Sequence, residues 1–395
     1  MKPHIDQMTL PQNCSACGKS LEDGVPPTCP RCKTLYCGST CQRAHWKAGH
    51  KKVCKAIAEE GGAAQHHANA KATEAVAALV KEWAAPAKTA CRLCKKTTDE
   101  AVAVWCEGCS TKDRLAHASC LATYASRIAM GMDDFRGWKR CKGCDVELQG
   151  AARVAAARLC WKEYSGKPES DQFRCWAAEG LACALYAGGQ YEDACHTFHA
   201  HLQVLRRICP DNEAPITSCR QNLANCADVL GRLDELLVLR REIHAGSETT
   251  HGPADQRTVD AALAVASALL RFDKPEDAQT FCRETLAKVK SGCPPRDARV
   301  VTLTFALAQT LYDPAEDREY MMQDVQEAER LLMEALQASR QVFGSSHPQT
   351  IRVRKELDAV RAARRGDAID GSKLERGPMI NAPDDGDAKT IDSLD

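Results

Sequence analysis

Before residue 145 the chain sets fourteen cysteines and two histidines into eight closely spaced pairs, and no other feature restricts its folding so tightly. The pairs are Cys14/Cys17, Cys29/Cys32, Cys37/Cys41, His50/Cys54, Cys91/Cys94, Cys106/Cys109, His117/Cys120 and Cys141/Cys144. A spacer of two or three residues lets one turn aim both side chains at a single ion, and tetrahedral zinc takes four N or S ligands. Two series of eight ligands therefore imply four closed shells and four structural Zn²⁺ ions, with no open position for a catalytic water. A module of about 40 residues with few apolar side chains needs such a staple. The remaining nine of the 23 cysteines, from Cys160 to Cys293, stand singly in helix-like segments and read as small buried apolar groups.

Composition narrows the function. Lys+Arg and Asp+Glu both number 53, so no global cationic field gathers phosphates, and nucleic-acid binding finds no support. No apolar run approaches the ~18 to 20 residues of a spanning helix, and the start, MKPHIDQMTL, lacks a secretory layout. The expectation is a cytoplasmic protein, with the nucleus as the alternative, not associated with membrane. At ~100 to 200 residues per domain, 395 residues suggest two to four folded units.

Spacing alone leaves open whether neighbouring or alternate pairs share an ion. Over residues 14–54, the order CSAC, CPRC, Tyr36, Cys37, Cys41, Gln42, Trp46, His50, Cys54 resembles the MYND zinc finger. The resemblance implies interleaved ligation: Cys14, Cys17, Cys37 and Cys41 on one zinc, and Cys29, Cys32, His50 and Cys54 on the other. It also implies binding of short proline-rich peptides, with Gln42 and Trp46 at the matching positions. These lie four apart on one helical face, so an amide could hold a backbone group while the indole packs a proline ring. The competing reading has Trp46 filling the small core.

After an Ala-rich stretch at 55–85, expected as a helical linker, residues 86–150 carry CRLC, CEGC, AHASCLATYA and CKGC. This order resembles the RING-CH variant of the RING finger and shares its ligand order with PHD fingers, although RING-CH usually has one residue inside its second pair. A cross-brace would place Cys91, Cys94, His117 and Cys120 on one ion, and Cys106, Cys109, Cys141 and Cys144 on the other. A RING would hold a ubiquitin-conjugating enzyme, with Leu93 as the apolar contact. Lys142 and Asp145 depart from what many ligases carry at these positions.

From about residue 149 the texture turns to Ala/Leu-rich amphipathic helices. Ala182, Ala224, Ala266 and Ala308 recur at 42 residues, as do Ala194, Leu236 and Ala278. Small residues at a fixed period let helix pairs stack into a solenoid. Leu181, Ala182, Gly189, Tyr191, Ala194 and Phe198, with QNLA and FGSSHPQT further on, resemble tetratricopeptide repeats of the kinesin-light-chain subclass. Four repeats are expected over 170–348, after a connecting helix at 151–169 and before a capping helix at 349–365. An acidic tail at 366–395 should be disordered. The groove face offers Glu179, Cys183, Gln221, Asn225, Ser267 and Gln309; Gln221, Asn222 and Asn225 could bond a peptide backbone.

The fold expected is mainly α: two small cross-braced zinc fingers followed by an α-solenoid. No catalytic residue stands out. The function expected is a protein-interaction adaptor, with an E3 ubiquitin ligase as the alternative, the solenoid then recruiting substrate. Metal loss should unfold the fingers and leave the solenoid standing.

Overall fold

The computed structural model describes residues 14–19, 21, 27–82, 90–97, 102–106, 109, 115–132, 135–294, 296–312 and 322–365. The acidic tail expected to be disordered lies outside the described residues. The chain divides into two compact units, residues 1–230 and 231–395. No helix among the described residues is long and apolar enough to cross a membrane.

In the first unit, the hairpin around Cys29 is closed by a bridge between Thr28 and Leu35. Helix α1 (Ser39–His45), a wider π-type turn (Trp46–His50) and α2 (Lys51–Glu59) follow, with Gly49 at φ 143° making the kink between them. The Ala-rich stretch is not a free linker. Its second part forms α3 (Ala63–Glu82), whose Ala63 amide donates to the Cys32 carbonyl at 2.7 Å. Ala68, Ala72 and Leu79 on α3 are buried, and the small residues let it close on α6 (Gly150–Tyr164). Gln65 stitches that contact: its Nε2 donates to the Lys162 carbonyl at 2.7 Å, and its Oε1 accepts from Ser165 at 2.8 Å.

Between α3 and α6 lie an antiparallel pair, β1 (Val102–Val104) and β2 (Leu115–His117), then α4 (Ala118–Met132) and α5 (Arg136–Lys139). Val102 faces His117 and Val104 faces Leu115. Trp105 is buried and donates its Nε1 to the Ala116 carbonyl at 2.9 Å. Next come α7 (Gln172–Ala187), α8 (Tyr191–Ile208) and α9 (Glu213–Val229), each packed on the one before. Arg158 on α6, 6% exposed, reaches Asp193 on α8 at 3.1 Å.

An aromatic junction joins α5's neighbourhood to the helices. Phe135 stacks on Phe173 at 5.8 Å and meets Trp176 edge-on at 5.4 Å, while Trp138 lies edge-on to Tyr164 at 6.4 Å. Phe135, Trp138 and Tyr164 are buried. The ligand module and the first helix pair thus share one core, and metal loss is expected to reach the helices of this unit as well.

The second unit runs α10 (Leu233–His251), α11 (Gln256–Arg271), α12 (Pro275–Gly292), α13 (Ala298–Leu311), α14 (Met322–Val342) and α15 (Pro348–Arg365). From α11 onward each helix packs on the one before. Its core gathers Val259, Leu263, Phe305, Leu307, Leu332 and Val353. Glu329 on α14 accepts from Arg361 at 3.0 Å and from Arg364, fixing α15 as the last layer.

The period is structural in both units. Ala182 and Ala224, and separately Ala266 and Ala308, are buried. Asp171, Asp255 and Asp297, at multiples of 42 from one another, each cap the helix that follows by accepting from a backbone amide. Such a cap contributes about 1 kcal/mol. Gly189, Gly231 and Asp273, also 42 apart, hold positive φ in the turns, where an L side chain is disfavoured.

Phe135→Ala should lower the stability of the first unit by about 3 to 5 kcal/mol, because it empties an aromatic site shared by two layers. Urea titrations followed by helicity and by metal release should then shift together. Shifts in metal release alone would show the helices to be independent.

Burial disfavours the charged imidazole of His67, helped by Lys71 and Arg158, and that of His201, holding both down at about 4. The unfolded chain takes up these protons below pH ~6.5 while the folded chain resists until about 4, so stability is present at neutral pH and falls with pH across that window. At pH 5 each group should cost about 2 kcal/mol. His201→Leu should therefore lose less of its urea midpoint between pH 7 and pH 5 than the parent chain.

Candidate metal centres

Four of the ligand pairs form the same turn. In Cys14/Cys17, Cys29/Cys32, Cys91/Cys94 and Cys141/Cys144, the amide of the residue after the second cysteine donates to the carbonyl of the first. The distances are 2.8 Å for Gly18, 2.9 Å for Lys33, 2.8 Å for Lys95 and 2.9 Å for Asp145. All four of these residues have positive φ: 76°, 61°, 63° and 55°. The first cysteine's amide closes the loop by donating to Lys19, Thr34, Lys96 or Val146. Asp145 is the left-handed residue of the last turn, and its Oδ1 accepts from Arg140 at 3.1 Å. Lys33, Lys95 and Asp145 gave no signal in the sequence, since glycine is the residue expected there.

The sixteen donors converge as four sets: Cys14, Cys17, Cys37, Cys41; Cys29, Cys32, His50, Cys54; Cys91, Cys94, His117, Cys120; and Cys106, Cys109, Cys141, Cys144. Within each set the ligand atoms all lie within 4.8 Å of one another. Alternate pairs, not neighbouring ones, come together. Sulfur pairs stand 3.6 Å apart for Cys17–Cys37 and Cys29–Cys54, 3.4 Å for Cys37–Cys41 and Cys109–Cys141, and 3.5 Å for Cys106–Cys144. These gaps are far beyond the ~2.05 Å of a disulfide. They match the ~3.8 Å edge of a tetrahedron with ~2.3 Å metal–sulfur arms. His50 presents Nε2, 3.3 Å from the Cys32 sulfur, whereas His117 presents Nδ1, 3.5 Å from Cys94 and 3.7 Å from Cys120. The donors fit zinc: soft thiolates and imidazole in a closed four-coordinate shell.

Burial would raise the Cys14, Cys29 and Cys141 thiols, but hydrogen bonds overcome it and bring each down to about 6. For Cys14 the donors are the backbone amides of Cys37, Ala16 and Cys17. Their neighbours move the other way. Bonding with Cys37 and Cys17 pushes Cys41 up to about 12, and burial beside other cluster sulfurs does the same to Cys54 and Cys120. One thiolate forms easily and the next is resisted, which is the state a dication resolves.

Around His50 the first module packs a small aromatic core. Tyr36 is buried, its hydroxyl 3.0 Å from His45 Nδ1, and the His45 ring stacks on His50 at 4.8 Å. Burial and then His50 keep His45 from charging. Trp46 lies outside this core, 42% exposed, with its edge contact to His50 at 5.8 Å. Gln42 is half-buried and its Nε2 donates to the Thr28 carbonyl at 3.4 Å. Leu93 is half-buried in the Cys91 turn.

The groove residues are half-buried in their own units: Glu179, Cys183, Gln221, Asn222 and Asn225 in the first, Ser267 and Gln309 in the second. Gln221 Nε2 donates to Asn225 Oδ1 at 3.1 Å, and Gln309 Nε2 to Glu356 at 3.3 Å. Burial pushes the Glu179 carboxyl up.

Residues 14–54 match the family model of the MYND finger, and residues 317–349 match that of a tetratricopeptide repeat. Among solved structures, the chain is similar to a kinesin light chain of Podosopora anserina with nearly identical TPR-like repeats, at 14% identity and a TM-score of 0.41. That likeness covers 57% of this chain and 96% of the other. It is also similar to BtubC (BKLC) from P. vanneervenii, at 19% identity and a TM-score of 0.40, over 56% of this chain and 85% of that one. This chain carries a MYND zinc finger at its N-terminal end and a tetratricopeptide repeat near its C-terminal end. Both are protein-interaction modules.

Lys33→Gly and Lys95→Gly should each strengthen their module by about 1 kcal/mol, the strain of an L residue in the left-handed region. The check is the chelator concentration needed to strip the metal, which should rise. An unchanged value would mean the turn is unstrained.

Proposed function

We propose that the protein is a zinc-stabilised adaptor that brings other proteins together without catalysis. Its MYND finger takes a proline-rich peptide, and its helical repeats, over residues 170–348, take an extended partner segment. The carrying observation is the division of labour between two aromatics: Tyr36 fills the finger's core, which leaves Trp46 42% exposed. An exposed indole supported by a ligand histidine offers a flat apolar surface to a proline ring. Gln42 gives its N–H to Thr28 and keeps its carbonyl oxygen for a ligand amide. In the repeats, Gln221, Asn222 and Asn225 supply donors and acceptors for a peptide backbone, and the groove residues named above, neutral or acidic, do not suit a terminal carboxylate.

Four ions are assigned, one to each set of donors, with the second module a cross-braced finger of RING-CH-like ligand order. One observation weighs against the ligase alternative: after the eighth ligand stands a carboxylate that accepts from Arg140 and cannot donate to ubiquitin.

Elemental analysis of the purified chain should find four zinc ions, and two or fewer would remove one module from the assignment. Trp46→Ala should weaken a proline-rich peptide by about 1 to 3 kcal/mol while the zinc content stays the same. Titration calorimetry with wild-type affinity in the variant would return Trp46 to a structural role.

A further inference from the structure

The two turns that open the modules are built alike, and one difference between them carries a consequence for the metal sites. After Cys14, Ser15 donates its amide to the Leu35 carbonyl at 3.0 Å; after Cys91, Arg92 donates its amide to the Leu115 carbonyl at 2.9 Å. The backbone therefore accepts either residue. A serine side chain is too short to leave its own turn. The Arg92 guanidinium crosses to the other metal set, where Nη1 donates to the buried Cys141 sulfur at 3.2 Å. Cys141 takes a second, longer bond from the Gly143 amide at 3.4 Å.

The charge of the two sets makes that crossing matter. Three thiolates and a neutral imidazole around zinc leave a net monoanion, whereas four thiolates leave a net dianion, which is the set to which Cys141 belongs. A guanidinium is permanently charged and donates in a fixed fork, so it withdraws charge from the thiolate and offsets the excess on that ion. Its backbone is at the same time pinned between Cys91 and Leu115, two residues before the ligand His117. Resting on the assignment of zinc to both sets, we propose that Arg92 is a positioning residue that couples the two ions of the second module. It stabilises the Cys106, Cys109, Cys141, Cys144 ion through its side chain and the Cys91, Cys94, His117, Cys120 ion through the turn it anchors.

The test uses the full-length, zinc-loaded chain and Arg92→Ser, a side chain that the first module already accommodates at the matching position. Zinc release to a chromogenic chelator should become about tenfold faster for one ion, the scale for losing an outer-shell partner. Alkylation mapped by mass spectrometry should find Cys141 and Cys144 among the first thiols exposed, with Cys14 to Cys54 unchanged. Arg92→Lys, which restores the charge without the fork, should recover part of the loss. In cobalt-substituted protein the sulfur-to-metal charge-transfer band should shift in Arg92→Ser, a change that loss of packing alone would not give. Coupling is read by a double-mutant cycle: Cys144→Ser should hasten release from the Cys91 set when Arg92 is present and have less effect in Arg92→Ser.

Equal release rates and an unmoved cobalt band in Arg92→Ser would overturn the proposal, as would equal acceleration at all four ions. A parent chain that holds no zinc in its second module would instead refute the assignment on which the proposal rests.

Discussion

Donor atoms held 3.3–3.7 Å apart, most of them able to become anions, cannot all ionise in so small a space without a cation among them. The rest of the N-terminal half depends on that constraint. Its modules have short hairpins, a two-stranded sheet of three residues each and a few short helices, too little apolar surface to hold ligand pairs together against their own repulsion. Metal binding free energy is then folding free energy, and it also holds lysine and aspartate in left-handed turns that neither would choose alone.

From that constraint the effect runs into the helices of the first unit. Cys141 and Cys144 fix the turn that follows α5, and α5 is flanked by Phe135 and contains Trp138. Those rings share a core with Tyr164, Phe173 and Trp176. A solenoid needs its first helix pair covered, because the face turned away from its neighbour is otherwise exposed. Here the second metal module and α3 provide the cover. In the second unit the last layer, α15, is held by buried Thr350, Val353, Leu357 and Val360 and by the Glu329 ion pairs.

Much of this was legible before any coordinates. Cysteine pairs at ligand spacing have few other uses in a chain without disulfides, and a period of 42 in small residues survives because each repeat meets the same neighbour. Alanine serves equally in an exposed helix and in one pressed close against a partner, so composition left the surroundings of the Ala-rich helix open. Its burial against α6 depends on residues about 90 positions away. Arg92 carries no local signal for a similar reason: an arginine between two ligands is ordinarily a solvated charge, and its partner lies 49 residues further along.

What the sequence determined by itself was chemistry and periodicity: which residues can bind metal and where helices recur. Those follow from local spacing and residue type. Tertiary structure alone decided which pairs converge, which of Tyr36 and Trp46 is buried, and that the second metal module and the first helices share a core. Each of these is a contact between segments far apart in the chain, and no local preference encodes such a contact.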